Sequence, residues 1–402
     1  MRNSRLVSTI SGIEYPFERI GEFAENGESL EAALPGIERA RIRQAPHLWE
    51  RFADFMPFER MDSSLSLGEG QTPLLPANPR LQSYTGIARL MLKNETMNPT
   101  WSFKDRGTLT CIFMAREIGE NITATISTGN MGHSVAAYAA NAGIRALVFL
   151  PQYAPQEKIM AMAMHGAVVI RVRAPDYSLM KNAVLSLADE FKLRIVSGNG
   201  PLRVEGYKLT AFEMHEQMNG QVPDYIAVPT SACGHIRGIF KGYRELRKAG
   251  IIRRLPKMIV VQARNNSPLV TAIKKGLTEV VPFTNFHTVA EAITDGNPAG
   301  GNEIIHKTRE HGWLAEDVTE EEIHEAQREL AHAGYFVEPA STTSLSAVKK
   351  LRAAGKIGDN DSVVLMLTGS GLKDPAVLRL HESTVIESSV ETIRKDLRKA
   401  LS

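Results

Sequence analysis

A lysine at position 104 stands in the run Asn98-Pro99-Thr100-Trp101-Ser102-Phe103-Lys104-Asp105-Arg106-Gly107, which follows a short apolar segment at 88–93 and opens a segment of helical period. An ammonium at the positive end of a helix is electrostatically disfavoured. Its pKa falls, and the free amine becomes a nucleophile suited to forming an imine with an aldehyde cofactor. A lone lysine between Asp105 and Arg106 is otherwise most often a solvated surface group, so the reading rests on the segments around it.

Three other segments join a strand pattern to a turn of small polar residues. Ser127-Thr128-Gly129-Asn130-Met131-Gly132-His133-Ser134 offers backbone N–H groups and short hydroxyls at a helix start, a site for a carboxylate, and Asn130 could donate to a phenolic oxygen. An ordinary capped turn explains the same residues without a ligand. Thr230-Ser231-Ala232-Cys233-Gly234-His235 is a phosphate cradle by the same physics, though it carries a single glycine. Leu367-Thr368-Gly369-Ser370-Gly371-Leu372-Lys373-Asp374-Pro375 ends a strand in a hydroxyl residue, near the edge where open sheets place ligands. His133 and His235, both at helix starts, could move protons or touch phosphate; capping, packing or solvation is the commoner fate of such residues.

The elements that must position these residues alternate. Strands are predicted at 88–93, 123–127, 146–151, 168–172, 194–197, 225–228, 258–262 and 362–367. Helices are predicted at 103–117, 132–141, 155–165, 177–191, 205–218, 236–248, 268–275, 320–333 and 343–354. That order gives an α/β fold with a mainly parallel sheet, since parallel strands need crossovers. Residues before about 62, broken by Pro16, Pro35, Pro46 and Pro57, read as an N-terminal extension. The stretch 280–301 reads as an irregular loop and 390–401 as a C-terminal amphipathic helix. The basic cluster at 244–254 reads as a solvated helix face.

Composition excludes several classes. Lys and Arg number 47 against 45 Asp and Glu, a net charge of +2 in 402 residues, with no basic block or aromatic interleaving to mark a nucleic-acid surface. Only Cys111 and Cys233 occur, so neither a disulfide framework nor a thiolate metal site is expected, and a cytoplasmic setting follows. Charges interrupt the first twenty residues, and no predominantly apolar run reaches the roughly 20 residues of a membrane span.

Taken together, Ser-Phe-Lys-Asp-Arg-Gly at 102–107, Ser-Thr-Gly-Asn at 127–130, Glu-Pro-Ala-Ser at 338–341 and Leu-Thr-Gly-Ser-Gly-Leu-Lys-Asp-Pro at 367–375 resemble the pyridoxal-phosphate enzymes of the tryptophan-synthase-β type, fold type II. Leu67-Gly68-Glu69-Gly70-Gln71-Thr72-Pro73-Leu74 and Arg203-Val204-Glu205-Gly206-Tyr207-Lys208 are similar to its threonine synthase subfamily. The resemblance implies two open, mainly parallel sheets flanked by helices. It implies an extension at 1–62, a cofactor domain of 63–106 and 200–385, a smaller domain at 107–199 and a helix at 386–402.

It also implies roles. Lys104 would hold pyridoxal 5'-phosphate as an imine and move protons. Asn130 would bind the cofactor's 3-oxygen, Thr230, Ser231, Ala232, Cys233, Gly234 and His235 its phosphate, and Thr368 its ring nitrogen. Ser127, Thr128, Gly129, Asn130 and Arg203 would bind a small amino-acid substrate, O-phosphohomoserine, in a homodimer with no metal. The chain departs from the subfamily at Met131, where Thr is usual, at Ser197-Gly198 in place of Asn-Ser, at Trp101 in place of Gly and at Ser370 in place of His. Those changes leave open other elimination or replacement enzymes of the fold, such as a cysteate synthase or a threonine/serine dehydratase, and a non-catalytic cofactor-binding homologue.

Overall fold

Crossover helices allow short apolar runs to pair in parallel, and the chain uses them to build one large and one small sheet. The computed structural model describes residues 4–17, 23–127, 129–152, 154, 156–174, 177–188, 190–284, 287–374, 381 and 385–401. In the 6-stranded sheet the spatial order is Leu314–Val318, Lys257–Ala263, Tyr225–Pro229, Ser362–Leu367, Arg89–Asn94 and Leu74–Pro76. All neighbours are parallel except Leu74–Pro76, an antiparallel edge strand where Pro76 is tolerated. Leu365 pairs with Ala227, and continuing that register sets Thr368 level with Thr230 at one end of the sheet.

The smaller sheet runs Ile122–Ile126, Arg145–Pro151, Val168–Val172, again parallel. The strand predicted at 194–197 makes only a single bridge, from Ile195 to Ala124, because the polar turn beginning at Ser197 ends the pairing. Leu314–Val318 was not predicted. Its Glu316 and Asp317 face Lys274 and Arg264, and those ion pairs along an edge strand hide its apolar alternation. The helix predicted over 205–218 is two, Pro201–Tyr207 and Leu209–Gln217, meeting at Lys208, whose ammonium turns inward to Glu205, Glu245 and the Phe55 carbonyl.

Helices Lys104–Glu117 and Pro201–Tyr207 touch backbone to backbone. A Cβ on Gly206 would lie 2.1 Å from the Arg106 carbonyl oxygen, so only glycine permits that approach, and it carries Arg203 behind Lys104.

The described N-terminal residues are built into the body, not left as an arm. A 3-stranded antiparallel sheet of Glu14–Pro16, Arg5–Ser8 and Leu30–Ala33 leads to Trp49, Phe52 and Phe55, which share an apolar core with Phe212 and Phe240. Phe52 stacks on Phe212 with centroids 4.5 Å apart. Arg237, fully buried, donates to the Leu30 carbonyl at 2.9 Å, to Asn199 Oδ1 at 2.8 Å and to Asn199 O at 2.7 Å, and pairs with Glu303 at 2.6 Å. Arg244, predicted to be solvated, instead pairs with Glu31. Burial raises the Glu31 carboxyl, but Arg244, Lys307, Arg237 and Lys241 outweigh it and hold the group well below the carboxylate range. The segment 280–301 is irregular where described, apart from the short turn Glu291–Ile293 and Gly301, which begins helix Gly301–His311. Helix Ile393–Leu401 buries no residue. Among the described residues no helix is long and apolar enough to cross a membrane.

Arg237→Met should remove the main partner of buried Glu303 while Lys307 still faces it. A loss of about 3 kcal/mol is expected, the low end for breaking a buried pair. Urea unfolding would show it as a lowered midpoint at unchanged slope; an unshifted midpoint would refute the structural weight given to this pair.

Candidate active site

Backbone contacts place Lys104 before its chemistry is considered. Phe103 N donates to Thr368 O at 3.0 Å and Ser370 N to Trp101 O at 3.0 Å, with Ser102 bridged to Gly369, so the lysine turn runs beside the end of strand Ser362–Leu367. Trp101 has φ 62°, the left-handed region that favours glycine, which accounts physically for the glycine usual there. Lys104 Nζ lies 4.4 Å from the centroid of the Phe103 ring, on which His235 stacks at 3.8 Å between centroids.

Enclosure by protein pushes the Lys104 amine down to about 7; the Arg203 guanidinium adds to the fall and Glu338 opposes it. Burial is the largest of these causes, and Lys104 is also the first residue of helix Lys104–Glu117, the helix end read from sequence. Arg203 is buried, its Nη1 donating to Thr108 Oγ1 at 3.1 Å, Lys104 O at 3.4 Å and Tyr207 Oη at 3.4 Å. The arginine expected to bind substrate thus lies against the lysine's own helix.

Asn130 and Thr368 meet at a residue to which sequence reasoning gave no role. Asn130 Nδ2 donates to Glu338 Oε2 at 2.8 Å, and Thr368 Oγ1 lies 3.2 Å from Glu338 Oε1. Glu338 is buried at the start of helix Pro339–Ala353. Burial raises its carboxyl pKa, against the pull of Asn130, Lys373, Thr368 and Lys158. The available signal was a carboxylate inside the otherwise apolar run Tyr335-Phe336-Val337-Glu338-Pro339-Ala340, since acids are seldom fully buried without a partner.

The small-residue loop lies where strand Tyr225–Pro229 gives way to helix Gly234–Lys248. Thr230 Oγ1 donates to Val228 O at 2.7 Å, and Ser231 Oγ accepts from Asp295 N at 3.1 Å. Cys233 adopts φ 72° just before the helix and its thiol is pushed up by burial, so it stays protonated. A Cβ on Gly234 would stand 2.0 Å from Gly198 O, which presses this helix start against the turn after Ser197; a Cβ on Gly198 would stand 3.2 Å from Ala232 Cβ.

At the other turn Ser127 Oγ accepts from Gly132 N at 3.0 Å and Gly129 N at 3.3 Å, capping helix Asn130–Ala142 as the ligand-free reading anticipates. Thr128 lies outside the described residues. Met131 packs against the apolar core. His133, also unassigned in the substrate scheme, touches Lys373 Nζ at 3.2 Å and His165 Nε2 at 3.3 Å, and burial with Lys373 lowers it to about 3.

Comparison with known proteins accounts for this assembly. Residues 65–369 match the family model described as pyridoxal-phosphate dependent enzyme. The chain belongs to the pyridoxal-phosphate dependent enzymes. It is 39% identical over 366 residues to a threonine synthase of Methanocaldococcus jannaschii, covering 90% of this chain and 89% of the relative. A Methanosarcina acetivorans threonine synthase is 39% identical over 356 residues, covering 88% and 87%. A fungal L-serine ammonia-lyase from Rhizomucor miehei shares the fold with TM-score 0.67 at 20% identity, covering 77% of this chain and 97% of that one.

As a pyridoxal-phosphate dependent enzyme, the chain has residues that fit the cofactor. Both ring nitrogens of buried His235 and the Ser102 hydroxyl find no hydrogen-bond partner among the described residues, and both residues flank Lys104 through Phe103. Beside them are a helix N-terminus with small residues for a phosphate and a half-neutral amine for an aldehyde.

Arg203→Met should raise the pKa of Lys104 above 7, since it removes a nearby positive charge while leaving the site enclosed. Reductive methylation of cofactor-free protein, followed by peptide mass spectrometry across pH, reads this directly. A titration unchanged from wild type would remove Arg203 as a cause.

Proposed function

We propose that the chain is a threonine synthase, converting O-phosphohomoserine and water to threonine and phosphate. The observation that carries the reading is the depressed amine of Lys104 on a turn whose backbone is hydrogen-bonded to that of Thr368, in a chain whose archaeal relatives of that name match over about nine tenths of its length. Pyridoxal phosphate, when bound, supplies the electron sink that makes Cα and Cβ protons acidic. The protein does the rest. Lys104, close to half deprotonated near neutral pH, takes and returns protons at Cα, Cβ and Cγ. Asn130 keeps one amide N–H on Glu338 and has its second to donate to the cofactor's 3-oxygen. The start of helix Asn130–Ala142, with Ser127, Thr128 and Gly129, receives the substrate carboxylate. The loop 230–235 takes the cofactor phosphate. Arg203 adds positive charge behind Lys104, where an anionic leaving group gains from it.

A hydroxyl at 368 cannot hold a ring nitrogen protonated as a carboxylate would, which favours elimination and replacement over transamination. We assign residues 63–106 and 200–385 to the cofactor domain and 107–199 to the smaller one, in a cytoplasmic homodimer. Met131, partly buried against the core and unable to donate, favours as second reading an enzyme of the fold with another leaving group.

Wild-type enzyme should release phosphate from O-phosphohomoserine with one threonine per phosphate. Phosphate from O-phosphoserine with sulfite would instead indicate a cysteate synthase, keto acid from serine or threonine a dehydratase, and cofactor binding without turnover a non-catalytic homologue. Lys104→Ala should abolish the visible absorbance band of the loaded protein and lose at least about 10²-fold in rate, the scale of general acid–base catalysis alone.

A further inference from the structure

Hydrogen-bond bookkeeping around Thr368 leaves very little freedom. Ser341 Oγ accepts from Thr368 N at 2.9 Å and from Gly369 N at 3.0 Å, so both of its lone pairs are engaged. Its own O–H must donate. Gly369 O is 3.3 Å away and already accepts from Glu338 N at 3.0 Å, whereas Thr368 Oγ1 is 2.8 Å away. Thr368 Oγ1 therefore accepts from Ser341 and has one lone pair and one proton left to place. Its remaining protein neighbour is Glu338 Oε1 at 3.2 Å. The other carboxyl oxygen, Oε2, is held as an acceptor by Asn130 Nδ2 at 2.8 Å, so a proton on this carboxyl sits on Oε1 and points at Thr368.

We propose that Glu338 is a positioning residue for the cofactor ring: acting through Thr368, it decides whether the ring nitrogen accepts a proton or carries one. This rests on the seat assigned to the cofactor above. With Glu338 neutral, Oε1–H donates to Thr368 and the threonine O–H is released toward the ring nitrogen, which stays unprotonated. With Glu338 ionised, the threonine O–H donates to Oε1, and the free lone pair of Thr368 suits a protonated ring nitrogen. The two arrangements hold the same number of protons. One passes into the other when Glu338 gives its proton to Thr368 as Thr368 gives its own to the nitrogen, one O–H bond breaking and one N–H forming, with no other reactant.

The surroundings set the balance. Burial favours the neutral acid, while Lys373 and Lys158, reaching in from other segments, favour the carboxylate; Lys104 faces the same group. Gly369 makes the room in which the Glu338 carboxyl sits, since a Cβ there would lie 2.6 Å from Oε1. The same acid also fixes Asn130, so one group tunes the ring at its nitrogen and at its 3-oxygen. This gives the chain a way to grade its electron sink with a hydroxyl at 368 in place.

The test uses holoenzyme loaded with pyridoxal phosphate carrying ¹⁵N in the ring, read by nitrogen NMR and by the visible band across pH. Glu338→Gln copies the neutral acid, its amide oxygen accepting from Asn130 and its N–H donating to Thr368. The variant should give the unprotonated nitrogen signal throughout, where wild type, sharing one proton among Glu338, Thr368 and the ring, shows a protonated fraction. Thr368→Val keeps the carboxyl but cuts the chain, so the ring nitrogen should cease to follow it, and adding Glu338→Gln to Thr368→Val should change nothing further. A Glu338→Gln nitrogen with the wild-type protonated fraction, or a Thr368→Val protein that keeps that fraction, overturns the proposal. If Lys104→Ala still forms the visible band, the cofactor seat itself has failed, an outcome distinct from both.

Discussion

Removing an amine from water is the constraint on which the site depends. Lys104 has a pKa of about 7 because protein encloses it, and that enclosure requires helix Lys104–Glu117 to be clamped on two sides. On one side Gly206 lets helix Pro201–Tyr207 come into backbone contact; on the other the 101–103 turn is zipped to 368–370. Loosening either would admit water and restore an ordinary ammonium. The reactive lysine is a property of packing more than of its neighbours in sequence.

The same low-dielectric pocket explains why the polar residues around it come as a closed set. Glu338, Asn130, Thr368 and Ser341 satisfy one another with few spare groups, as buried networks must. Farther out, Arg237 bonds at once to the Leu30 carbonyl, Asn199 and Glu303, tying the N-terminal strand to the turn that presses on the cradle helix. Residues that read as an appendage in the sequence are thus tied, through Arg237, to the turn at Asn199.

Much of this was legible beforehand. Strand-to-turn-to-helix junctions at 104, 130 and 234 and the strand end at 368 were read from local pattern, because small polar residues after an apolar run mark where a strand stops and a turn begins. Glu338 was missed for a physical reason: a single acid before a proline looks like a helix cap, and only the fold shows its two oxygens divided between residues 208 and 30 positions away. Arg203 was assigned to the substrate through the resemblance, but its direction could not be read, since Gly206 and Gly107 decide how close the two helices lie.

By itself the sequence determined the alternation of strands and helices, the types of the amine, amide and hydroxyl groups gathered at the candidate site, and the turns that carry them. These are local matters, set by periodicity, side-chain type and backbone freedom. Tertiary structure decided which of those groups meet, how dry their surroundings are, and hence their proton affinities. Burial and charge proximity arise between segments far apart in the chain, so no window of sequence contains them.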